Sequence, residues 1–160
     1  MAIDMFLKIG NISGESLDSA HKNWVDVLAW SWGMSNSGSV QVGGGAGAGK
    51  ANFQDLSYTS YLDASTTPLM RAVATGQHLK QAFLNVRRSA DSLEFLKITL
   101  TEVLVTSLST GGSGGEDRLT QNVSLNFAKV RVEYQQSANG KPLGDPLVFA
   151  FDIAAANTVP

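Results

Sequence analysis

At 160 residues, 43% hydrophobic and 16% charged, the chain has the length of one domain, which at this size buries about 68–70% of its unfolded surface without help from a metal or disulfide. It contains no cysteine, which excludes a disulfide scaffold, thiol catalysis and cysteine-ligated zinc. The net charge of −2, with its lysines and arginines scattered, excludes the clustered positive surface that nucleic-acid binding requires.

Period-2 alternation begins at once: Ile3, Met5, Leu7 and Ile9 fall on one side of a first strand, Asp4 and Lys8 on the other. This opening has neither a basic n-region nor an unbroken apolar h-region, so export is expected to bypass a conventional signal peptide. No segment approaches the ~20 apolar residues of a membrane span, and membrane insertion is not expected. Residues 23 to 35 form the next strand. Trp24, Leu28, Trp30 and Trp32 share one parity and are expected to face the core, while Val25, Val27, Ala29, Ser31 and Gly33 share the other, which turns small and polar toward its end. Residues 36 to 51 are a glycine-rich loop, expected to be flexible in an isolated subunit.

Segments 52 to 60, 80 to 88, 92 to 106, 119 to 134 and 146 to 153 read as further strands, rich in Val, Thr, Phe, Tyr and Leu. Between the first two of these lies one short helix: Thr67 is placed to cap it, Pro68 suits its first position, Leu69, Met70, Ala72 and Val73 make its apolar stripe, and Gly76 ends it. In segment 119 to 134 the apolar parity changes from Val123, Leu125 and Phe127 to Val130, Val132 and Tyr134, which predicts a β-bulge at Ala128-Lys129. The tail 154 to 160 carries no pattern. About seven strands to one helix predict a mainly β fold, a small closed barrel with one flanking short α-helix, as a single domain over residues 1 to 160.

The motifs that suggest catalysis weaken on inspection. Gly44 to Lys50 has the G-x-x-x-x-G-K spacing of a phosphate-cradling loop. The next residue is Ala51, without the hydroxyl that would reach Mg²⁺, and the following stretch alternates as a strand where a helix N-terminus is required. The two histidines, His21 and His78, fall in loop-like segments without metal-ligand or protease spacing, and are read as polar surface residues. Glu116 and Asp117 stand beside Arg118 in a second glycine-rich loop, where solvation or an ion pair explains them better than acid/base chemistry. A carbohydrate-binding β-sandwich with a tryptophan platform is the competing non-enzymatic reading, and the parity shared with Leu28 argues against it.

Taken in order, Gly14-Glu15-Ser16, His21, Trp30-Ser31-Trp32-Gly33, the strand at 56 to 61, the helix at 66 to 76, the loop from Thr110 through Glu116-Asp117-Arg118 to Leu119, and the stretch from Val123 to Lys129 resemble the haemolysin-coregulated protein (Hcp) family of type VI secretion. The resemblance covers essentially the whole chain. It implies a tight barrel that assembles as a homohexamer, with rings stacking into a tube inside a contractile sheath and behind a tip spike protein. It also implies small secreted effectors carried in the lumen, synthesis in the bacterial cytoplasm followed by type VI secretion, and no cofactor or active site. On that basis Ser31, Ala29 and Gly33 are expected to face the lumen, and Val42, Gly43, Gly44, Gly45, Gly47, Gly49 and Lys50 to contact the stacked ring. Arg87, Arg88, Glu116, Asp117 and Arg118 are expected at a subunit interface. Ordering a loop costs of order 1–2 kcal/mol per residue fixed, so stacking is expected to be weaker than ring closure.

Overall fold

The computed structural model describes residues 2–38 and 50–159. In chain order they form β1 (Ile3–Ile9), β2 (Val25–Ser31), β3 (Met34–Ser35), β4 (Asn52–Phe53), β5 (Leu56–Tyr61), α1 (Thr66–Thr75), β6 (His78–Arg88), β7 (Glu94–Gly111), β8 (Thr120–Tyr134), β9 (Ser137–Ala138), β10 (Lys141–Pro142), β11 (Leu147–Asp152) and β12 (Asn157–Thr158). Strand order β8-β5-β2-β1-β6-β7, with β7 returning to pair with β8, closes a six-stranded antiparallel barrel. Closure removes the two edges that an open sheet would expose.

β8 serves two partners on one side. Its first half pairs with β5 from Leu56↔Leu125 to Tyr61↔Thr120, and its second half with β11 from Asp152↔Lys129 to Leu147↔Tyr134. The change of parity anticipated near Ala128 lies at this handover: Phe127 and Val130 are both buried, and Lys129 between them is exposed. The register slip expected of a bulge is not at that point. Opposite it, Glu102 of β7 takes φ 56°, and β7 also changes parity, from Ile98 and Leu100 to Val103 and Val105. Both strands therefore turn together, keeping Thr101↔Lys129 and Val103↔Phe127 paired, while the slip falls between Val105 and Ser107.

A second irregularity corrects the expected tryptophan face. The β2–β5 register shifts between Val27 and Ala29, so Val25 and Val27 are the core residues at the start of β2, and Leu28 is 43% exposed. Beyond the shift the parity is inverted, and Trp30 and Trp32 pack half-buried against the core. One extra residue in a strand sends every later side chain to the opposite face.

The helix begins earlier than its proline suggested. Asp63 accepts the backbone N–H of Ser65 at 2.8 Å and turns the chain out of β5; α1 starts at Thr66, and Pro68 is its third residue. Thr66 is buried because its hydroxyl bonds the Gln121 side-chain oxygen at 2.9 Å, and the Gln121 amide donates to Ser60 at 3.1 Å, a satisfied polar chain under the helix. Only Leu69 and Ala72 of the predicted stripe are buried; Met70 and Val73 are 41% and 36% exposed. Gly76 ends the helix at φ 66°, as its position implied.

Candidate assembly surface

Strands β2, β5, β8 and β7 form one continuous stretch of the barrel wall. In β5, Leu56, Tyr58 and Ser60 point inward, so Ser57, Thr59 and Tyr61 point out. Register then aligns two rows across the four strands. Ser31, Ser57, Ser124 and Ser107 make one, and Ala29, Thr59, Asn122 and Ser109 the other. Ser57 and Ser124 hydroxyls are 3.2 Å apart, and Thr59 donates to Asn122 at 2.6 Å. All eight residues are small and uncharged, and together they line a shallow depression of about 330 Å³.

Two of the three residues expected on this face, Ser31 and Ala29, are in the rows. Gly33 lies past the end of β2, where its carbonyl accepts the Gln54 N–H at 2.9 Å. The other six members of the wall were missed in the sequence because each alternates with a core residue on a strand whose neighbours are far away in the chain. Their only local signal is a run of Ser, Thr and Asn on one parity of three strands.

The wall ends in two strand edges. β2 pairs with β1 only at Val25 and Asp26, and β7 pairs with β6 only as far as Leu104. Among the described residues, 27–31 and 105–111 therefore have no strand neighbour on their outer sides. Unpaired N–H and C=O groups in a row are a template for another strand.

The charged candidates are distributed differently. Arg87 is tied within its own chain, donating to Asp18 at 2.7 and 3.1 Å and to Asp4 at 3.2 Å. Arg88 bonds Asp91 at 2.8 Å and Ser137 at 2.9 Å. Arg118 lies over the Tyr61 ring, 3.8 Å from its centre, which leaves Glu116 and Asp117 exposed at the β7–β8 turn. Lys50 is exposed; Val42, Gly43, Gly44, Gly45, Gly47 and Gly49 lie outside the described residues. After Lys50 the chain enters β4 and β5, not a helix.

His21 is the clearest departure from its sequence reading. It is 2% exposed, stacked 4.2 Å from Phe6 and edge-on to Trp24 at 4.8 Å. Its Nδ1 lies 2.8 Å from Asp18 and its Nε2 2.7 Å from Glu94. The ring thus pins the segment between β1 and β2 onto the barrel. His78 opens β6 and is exposed.

The Arg87 hydrogen bond, followed by that of His21, holds the Asp18 carboxyl at about 2, below its ordinary 3.8. A folded value below the unfolded one stabilises the protein above pH 3.8, and that stability drains away as pH falls toward 2. The melting temperatures of wild type and Asp18→Asn should therefore differ at pH 6 and converge between pH 3.8 and 2. A gap that stays constant through that window would refute the linkage.

Residues 6–134 match the family described as "Type VI secretion system effector, Hcp". Protein hcp1 of Pseudomonas aeruginosa is 58% identical over 156 residues, covering 96% of each chain. Among solved structures, one titled "Structure of a type six secretion system protein" superposes with a TM-score of 0.92 at 30% identity, covering 99% of this chain and 100% of that one. Hcp1 from Salmonella typhimurium does so with a TM-score of 0.84 at 34% identity, covering 99% and 100%.

Proposed function

The chain belongs to the Hcp family of type VI secretion, and from that membership we propose that it is the subunit of a hexameric ring whose rings stack head to tail into a secreted tube. The observation that carries the reading is the four-stranded wall with its two unpaired edges. Because the wall has an even number of antiparallel strands, β2 and β7 run in opposite directions. Rotation about an axis along the strands sets β7 of one copy beside β2 of the next, again antiparallel, and the sheet continues around the ring.

The same rotation turns the two rows of small side chains toward the axis. A lumen walled by Ser31, Ser57, Ser124, Ser107 and their neighbours presents hydroxyls but no charge, so it holds a small effector loosely and releases it. The remaining partners are the contractile sheath outside the tube and the spike at its tip; the loop 36 to 51 is assigned to ring stacking. The subunit leaves the cytoplasm by type VI secretion as part of this assembly and acts as a structural carrier, not a catalyst.

Light scattering on the purified protein should return a hexamer of the 17.0 kDa chain, and a monomer at micromolar concentration would overturn the ring. In the same experiment Ser31→Arg should keep the hexameric mass and lose most co-purified effector. Unchanged effector content would remove Ser31 from the lumen.

A further inference from the structure

We propose, on the ring reading above, that the Glu116-Asp117 tip of each subunit docks into a basic cleft on the adjacent copy. The cleft, of about 560 Å³, lies between the segment that follows β1, the exposed side of α1 and the start of β6. Arg71, His78 and Lys80 line it and no carboxylate does. Among the described residues neither Arg71 nor Lys80 has an ion pair; Lys8, Lys22, Lys50 and Lys141 also lack one, but only here do two such cations and a histidine line one cleft. Two cations and an imidazole gathered without a counter-charge fit an anionic partner.

The acidic tip is unmatched in the same way. Arg118, the cation next to it in sequence, lies over Tyr61, and among the described residues Glu116 accepts only from the Ser113 hydroxyl, at 3.0 Å. The arm that bears the tip supplies the independent observation. At Gly111, Gly114 and Gly115 an added Cβ would meet nothing within 4 Å, and none of the three has positive φ. Nothing inside the subunit requires glycine at these positions, which are the end of β7 and the turn beyond it. A bare, slim arm suits entry into a narrow site on another molecule.

Topology selects which molecule. β1, β5 and β7 all run toward the end of the barrel where α1 and β6 begin, so tip and cleft are at the same end. The tip does not line its own cleft. A ring sets equivalent ends level with one another, whereas stacking apposes opposite ends, so the contact joins lateral neighbours.

Charge reversal on the full chain tests this, with assembly followed by sedimentation across a concentration series. Glu116→Lys with Asp117→Lys, or Arg71→Glu with Lys80→Glu, should each raise the concentration at half-assembly at least tenfold. All four changes together should bring it back to within threefold of wild type. Single sets that assemble like wild type, or a combined variant no better than either, overturn the docking while leaving the ring intact. A monomeric wild type overturns both. As a milder pair, Glu116→Gln with Asp117→Asn should remove most of the rise in that concentration that added NaCl causes in wild type, and an unaltered salt response counts against the contact.

Discussion

Replacing His21 with alanine is expected to lower the melting temperature by roughly 6–12 °C. The ring is 2% exposed and makes a parallel stack on Phe6, so truncation leaves a cavity, and emptying a buried aromatic site costs about 3 kcal/mol or more. The loss also strips Asp18 and Glu94 of a partner at 2.8 and 2.7 Å. Both carboxylates retain some solvent and a second cation, Arg87 for Asp18 and Lys97 for Glu94, which keeps the electrostatic part below that of a sealed ion pair. In a chain of this size each kcal/mol shifts the midpoint by about 2–4 °C. His21→Phe, which keeps the stack but not the hydrogen bonds, should fall between alanine and wild type. A thermal melt that moves by less than about 2 °C for the alanine variant would mean that the segment between β1 and β2 is held by other contacts.

Proline on the outer edge of β7 should abolish the ring while sparing the subunit, but only at alternate positions. Along an antiparallel strand, backbone N–H groups point by turns to one neighbour and the other, so of Ser109 and Thr110 one donates toward β8 and the other toward the open side. Proline at the first removes a ladder bond and weakens the barrel. At the second it removes a backbone donor that no strand of the isolated subunit uses; if that residue is Thr110, the hydroxyl bond to the Thr120 carbonyl at 2.8 Å goes with it, and Thr110→Ala is the control for that loss. Each boundary in the ring would then keep an unmatched carbonyl, costing about 1–3 kcal/mol, or a factor of roughly ten for every 1.4 kcal/mol. Repeated around the ring, this reduces the hexamer to a trace. Circular dichroism and sedimentation on both variants decide it, and two folded hexameric proteins would exclude β7 as the joining edge.

The arginine pair shows how an interface expectation changes once neighbours are visible. Alternation puts Arg87 and Arg88 on opposite faces, from which one was expected to pair with a neighbouring subunit and the other to be solvated. Folding brings Asp18 and Asp4 to one and Asp91 to the other. Among the described residues Arg71 and Lys80 are without an ion pair and share one cleft, which drew no notice in the sequence because nothing local marks a charge that lacks a partner.

By itself the sequence determined what depends on neighbours a few residues away. The strand at 56 to 61, the helix that stops at Gly76 and the order of the tryptophan and glycine-acidic motifs that placed the chain in its family are all local pattern or local chemistry. Only the tertiary structure decided which strands lie side by side, and with that the burial of His21 between Phe6, Asp18 and Glu94, the inverted face of β2 after Val27, and the two uncharged rows of the wall. Periodicity states which side of a strand is apolar. Register and closure come from hydrogen bonds between residues as distant as Ser57 and Ser124, and one inserted residue reverses every assignment beyond it.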